Sequence, residues 1–185
     1  RRRGLGRPLV LSVLALLTLG VGMVCSAGQT DVPSPAQGAW VKQLAWVALG
    51  VVACAVVFRV NIRLLEWGAP WLYALGLVLL VLTLVVGTGA GTAAGSKSWL
   101  AIGGYRLGQP AELAKLGTIL LLARYLSSLR EPPDTLRALI VPGMIAGVPL
   151  VLVMVQPDLG SAIVFVGILF AMLFWAGVAP RLLLL

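Results

Sequence analysis

The sequence predicts an all-α fold: a polytopic transmembrane helix bundle with about six helices in these 185 residues. Composition predicts it first. Hydrophobic residues make up 60% and charged residues only 11%, whereas a soluble domain is nearer half apolar and about a quarter charged. Patterning predicts it second, because several runs approach the roughly 20 mostly apolar residues that cross a bilayer. Short polar links separate them.

The six spans read as about 8–27, 41–58, 70–86, 110–124, 136–155 and 159–179. The fourth is short for a crossing and draws on Tyr125 to Leu129 for the remainder. Residues 1–185 read as a single transmembrane domain. The opening Arg1-Arg2-Arg3 before an apolar stretch imitates a signal peptide, but the later apolar runs favour a retained first helix. Val24, ahead of Cys25, is not the small residue that a lipoprotein cleavage site wants. Cys25 and Cys54 read as small buried hydrophobes, with no disulfide or metal spacing. A start without Met and an end at Leu182-Leu183-Leu184-Leu185 read as a truncation.

Fourteen Lys and Arg against six Asp and Glu leave a formal charge of +8. In a soluble protein that balance would hint at nucleic acid; in this one its distribution decides, and no nucleic-acid partner is expected. Arg1, Arg2, Arg3, Arg7, Arg59, Arg63, Arg124, Arg130, Arg137 and Arg181 fall on one side of the membrane. Lys42, Lys97, Arg106 and Lys115 fall at or near the other. The positive-inside rule then puts the N-terminus in the cytoplasm. The chain has no histidine, which removes the commonest general base and the commonest zinc ligand.

Two outer links follow. The one around 28–38 holds Pro33, Ser34 and Pro35 and reads as a plain surface loop. The outer loop at about 87–108 is longer than most connections, a length that marks functional or disordered segments. Its first half is small and flexible. Its second half, from Ser98 to Gly103, is apolar with an aromatic and belongs in the membrane interface, where Trp99 would anchor. Lys97 and Arg106 read either as solvated loop charges or as attractors of an anionic headgroup. Gly91 to Ser98 only imitates a P-loop, because Ser96 separates Gly95 from Lys97 and no strand precedes it.

Two phrases carry more information: Gln109-Pro110-Ala111-Glu112-Leu113-Ala114-Lys115-Leu116 and Gln156-Pro157-Asp158-Leu159-Gly160-Ser161. Each is expected where a helix enters from the outer side. Proline suits a first helical turn and biases the preceding Gln away from helical geometry. Glu112 and Asp158 would then sit in first turns, where the helix dipole favours an anion. Lys115, three residues after Glu112, projects from the same face about a turn and a half into the bilayer. An ionisable group at that depth needs a partner, a bundle interior or a wet cavity. Two readings stand: a self-contained Glu112–Lys115 pair, or a polar cavity that Lys115 and Asp158 line together. Pro142, Gly143, Gly147 and Pro149 would bend the fifth helix. That bend would either help open such a cavity or be ordinary membrane-helix irregularity.

At these phrases, together with Ser98-Trp99-Leu100, the sequence resembles the SEDS family (shape, elongation, division and sporulation), with its RodA-type peptidoglycan glycosyltransferases nearest. The resemblance implies the N-terminal fragment of a ten-helix bundle in the bacterial cytoplasmic membrane. It implies polymerisation of lipid II into glycan strands at the outer face, for wall elongation and cell shape, beside a class B penicillin-binding protein. A sugar hydroxyl would attack the anomeric carbon of the donor, and undecaprenyl diphosphate would leave.

Such chemistry needs a carboxylate base and cations opposing the diphosphate. The resemblance places the main catalytic Asp in a later outer loop, outside this fragment, which is then inactive alone. Lys115 and Asp158 would shape the cavity electrostatically, and Glu112 would position Lys115. Gln109, Gln156, Trp99 and Arg106 would meet substrate. No cofactor is evident in the residues themselves, although the resemblance implies a divalent cation. The family often has Arg before the Trp. This chain has Ser98 there and Lys97 one position earlier, so the bidentate fork is lost. A lipid-linked precursor transporter is the alternative, although its broken helices would sit at midplane rather than at the outer rim. A membrane scaffold held by intramembrane charges is the third reading.

Overall fold

The computed structural model describes residues 6–29, 38–87, 98–102 and 105–183. Its order is α1 (Gly6–Ala27), α2 (Ala39–Arg59), α3 (Ile62–Val86), β1 (Leu100–Ile102), β2 (Tyr105–Gly108), α4 (Pro110–Ser128), α5 (Ile140–Val155), α6 (Leu159–Trp175) and α7 (Pro180–Leu183). The contacts divide the chain into two units, Arg1–Val60 and Asn61–Leu185.

In the first unit α1 and α2 pack together with no residue fully buried in either. Leu and Val point outward along both, as lipid-facing helices require. The hydroxyls of Ser12 and Thr18 donate to the carbonyls of Pro8 and Ala15, satisfying themselves within the helix because hydrocarbon offers no partner. Cys25 and Cys54 are free thiols.

The second unit carries the core. α3, α4, α5 and α6 pack around Leu80, Ala111, Ala114, Val153, Ala162 and Phe165. The third helix starts eight residues before the expected Pro70. Asn61 supplies an N-cap, its side chain accepting from the Arg63 N–H at 3.1 Å, so Pro70 lies inside the helix. α4 runs on to Ser128, as its length demanded.

The fifth helix begins at Ile140 rather than 136, and Pro149 lies in its interior. The sixth ends at Trp175, four residues early, because Gly177 adopts φ +87 and turns the chain. α1, α2 and α3 are long and apolar enough to span a bilayer, and α5 and α6 are shorter apolar helices.

α3 and α4 approach closely. A Cβ on Gly76 would fall 2.8 Å from the Ala114 Cα, and one on Gly117 2.8 Å from the Tyr73 Cα. Small residues on facing ridges let two backbones meet in this way.

The outer link is not all irregular. β1 and β2 pair antiparallel, Ala101 with Arg106 and Ile102 with Tyr105, with a bulge at Leu100/Ala101. Ser98 is buried beside this hairpin and Trp99 is partly buried. Lys97, the small-residue half of the link, and Arg1, Arg2 and Arg3 lie outside the described residues.

Candidate functional site

The start of α4 and the start of α6 meet. Gln109 is extended (φ −103, ψ 112) ahead of Pro110, which takes the first helical position. Proline disfavours helical geometry in its predecessor, so the Gln109 side chain leaves the helix end sideways. Its amide donates to Asp158 Oδ2 at 2.6 Å and lies 3.3 Å from Ser161 Oγ. Asp158 is the N-cap of α6. Its Oδ1 accepts the Ser161 backbone N–H at 3.0 Å, and its Oδ2 accepts the Ser161 hydroxyl at 2.8 Å. One carboxylate thus gathers three donors from two helices.

The second phrase differs from expectation. Gln156 caps the end of α5 and Asp158 caps the start of α6. Pro157 therefore precedes the cap instead of occupying the first turn, and the phrase is the corner between two helices. Gln156 is turned inward and only 2% exposed. Its amide donates to the Leu80 carbonyl on α3 at 2.9 Å and lies 3.4 Å from Thr83 Oγ1.

Glu112 and Lys115 follow Gln109 at three-residue steps along one ridge of α4. Lys115 Nζ lies 2.7 Å from Glu112 Oε1, with the lysine side chain 15% exposed and the glutamate 66%. This is the single ion pair among the described residues. Six residues put Lys115 roughly 9 Å along α4 from Gln109 and a third of a turn around it. The two polar groups, Gln109–Asp158–Ser161 and Glu112–Lys115, are thus successive stations on one helix.

Beside them a cavity of about 330 Å³ opens between α3, the hairpin and α4. Leu79, Leu100, Gly108, Gln109, Pro110 and Leu113 line it. Gln109 joins this apolar space to the polar cluster, while Lys115 is not among its walls. The side chain of Arg106 lies outside the described residues. No three acidic or thiol side chains gather among the described residues, the grouping that an all-protein cation cage needs.

Sequence reasoning quoted Ser161 without assigning it a task, although an Asp three residues before a Ser at a helix start is a capping signal. It missed Thr83 and Leu80, whose involvement depends on packing alone.

The signature of the FtsW/RodA/SpoVE family, described as cell cycle protein, matches residues 7–185. The chain belongs to this family. It is 36% identical to the probable peptidoglycan glycosyltransferase FtsW of Mycobacterium tuberculosis, over 97% of this chain and 36% of that one. It superposes on the crystal structure of the rod shape determining protein RodA of Thermus thermophilus with a TM-score of 0.77 and 30% identity, covering 96% of this chain and 56% of the other. A chain of a peptidoglycan synthase complex matches with a TM-score of 0.63 and 30% identity, over 84% of this chain and 44% of that one. Like other FtsW/RodA/SpoVE proteins, this is a multi-pass bacterial membrane protein. The chain spans less than half the length of the curated relatives it matches.

Proposed function

We propose that the longer protein containing this chain is a peptidoglycan glycosyltransferase. It polymerises lipid II at the outer face of the cytoplasmic membrane, next to a class B penicillin-binding protein, with its N-terminus in the cytoplasm. The observation carrying this reading is the coincidence of the family match with the polar stations on α4 and α6. The names of the relatives support the reaction class, and the polar stations are the side chains read as serving it.

In this reading Lys115 opposes the charge of the departing diphosphate, as a fixed cation does most effectively where water is scarce. Glu112 holds Lys115 in place. Gln109 presents its free carbonyl oxygen to sugar or amide groups while its N–H₂ stays on Asp158. Trp99 and Arg106, from the outer link, are read as substrate contacts. A hydroxyl of one saccharide forms the new bond to the anomeric carbon, and the bond to the diphosphate breaks. The hydroxyl proton passes to a carboxylate elsewhere in the longer protein.

The test is full-length protein with its transpeptidase partner in liposomes containing lipid II. Glycan polymer is the expected product, falling at least tenfold with Lys115→Ala and with Asp158→Ala. Wild-type rates in both variants would remove the site assignment. Movement of lipid II across the bilayer without polymer would replace the enzyme with a transporter.

A further inference from the structure

We infer that Gln156 is a positioning residue for the outer site, acting from the core through the α5–α6 corner and not by touching substrate. The inference rests on the proposed glycosyltransferase reading and assigns Gln156 a task within it.

Gln156 is among the largest fully buried side chains of the fold. A buried amide that lacked partners would cost stability, and this one is anchored. Its Nε2 donates to Leu80 O at 2.9 Å with Thr83 Oγ1 at 3.4 Å. Thr83 is itself buried and donates back to its own helix, at 2.6 Å from Leu79 O and 2.9 Å from Leu80 O. The α5 end is therefore tied to α3 at a fixed height.

Two residues later stands Asp158, whose backbone N–H returns to Val153 O at 3.3 Å while the Gln156 N–H bonds the same carbonyl at 3.0 Å. Only Pro157 separates the two, and with both N–H groups closed on one carbonyl the connection has little freedom. Holding Gln156 thus holds Asp158. Asp158 in turn caps α6 and receives the Gln109 amide. The chain of contacts runs from Thr83 and Leu80 through Gln156 and Asp158 to Gln109, across α3, α5, α6 and α4. Its far end is the one that borders the cavity.

Gln156→Met tests this. It keeps the volume and removes the donor, and Leu80 O keeps the Thr83 hydroxyl, so folding survives. In full-length protein with its partner, kcat for glycan polymerisation is expected to fall at least tenfold while KM for lipid II changes less than threefold. In an Asp158→Asn background the same substitution is expected to cost less than twofold, because its route is already broken. Independently of activity, hydrogen exchange of the Ser161 amide is expected to quicken at least tenfold in Gln156→Met. Unchanged kcat, a change confined to KM, full additivity with Asp158→Asn, or unchanged Ser161 exchange would each overturn the inference. If the wild-type protein makes no polymer, the glycosyltransferase reading fails instead, and the Ser161 exchange still decides whether Gln156 positions the corner.

Discussion

The Tyr73 hydroxyl donates to the backbone carbonyl of Ile145 at 2.9 Å, joining α3 to α5. Ile145 lies four residues before Pro149, which has no N–H to return to it, so its carbonyl lacks the usual helical donor. Tyr73 takes that donor's place. Within a membrane a freed carbonyl must be satisfied by protein, and this bond lets α5 keep an interior proline. Tyr73→Phe is expected to lower stability by about 1 kcal/mol, the scale of such bonds. In a Pro149→Ala background the restored backbone N–H serves Ile145, and the loss should shrink to a few tenths. Unfolding in detergent of the two single variants and the double variant measures the difference. Equal losses in both backgrounds would separate Tyr73 from the proline.

The same device recurs within α3 itself. Pro70 leaves the Glu66 carbonyl without its helical donor, and Arg124 Nη1 donates to that carbonyl at 2.7 Å. A guanidinium bond is stronger than a neutral one, but the pair is exposed. Arg124→Ala is therefore expected to cost about 1 kcal/mol, with Arg124→Lys recovering part of it through a single donor. In a Pro70→Ala background the helix supplies its own donor, and the cost of Arg124→Ala should shrink when measured by the same unfolding. A cost identical in both backgrounds would show that Arg124 acts through its surface charge.

The spans were legible because burial in lipid leaves a long apolar run, and the Gln109-Pro110 helix start was legible because proline dictates its neighbours. The helix starts that failed were set by weaker cues. Asn61 caps α3 nine residues before Pro70, since a proline in a membrane helix is tolerated once Arg124 answers the free carbonyl. Glu112 and Lys115 pair, one of the two arrangements that their shared helix face left open. The partnership of Gln109 with Asp158 spans 49 residues, and nothing local encodes it. The inward turn of Gln156 also depends on where α3 packs, so its phrase suggested a substrate contact equally well.

Gly76 and Gly117 are expected to be among the least replaceable small residues of α3 and α4. Each would drive a methyl to within 2.8 Å of facing backbone, and backbone cannot swing aside as a flexible side chain does. Gly76→Ala and Gly117→Ala should each cost roughly 1–3 kcal/mol, the range for overpacked sites. Gly147→Ala is the internal control, because nothing lies within 4 Å of its added carbon. It should be neutral or gain up to about 1 kcal/mol from helix propensity. Thermal unfolding of the three variants orders them. A neutral Gly117→Ala would mean that α3 and α4 pack less closely than 2.8 Å implies.

Lys115 separates an enzyme from a scaffold. Its ammonium reaches Glu112 at 2.7 Å, but the glutamate is 66% exposed, and such a pair contributes only about 0–1 kcal/mol. Removing it should therefore leave the thermal midpoint within a few degrees. Under the glycosyltransferase reading, Lys115→Ala should nonetheless reduce polymerisation by full-length protein at least tenfold, the scale of losing one fixed charge near a developing anion. Glu112→Gln should lose less, because the lysine keeps its charge and forfeits only its orientation. A scaffold role reverses the pattern: stability would fall with Lys115→Ala, and polymerisation per folded molecule would not. Measuring both quantities on the same preparation decides between them, and a variant unaffected in both would remove Lys115 from either account.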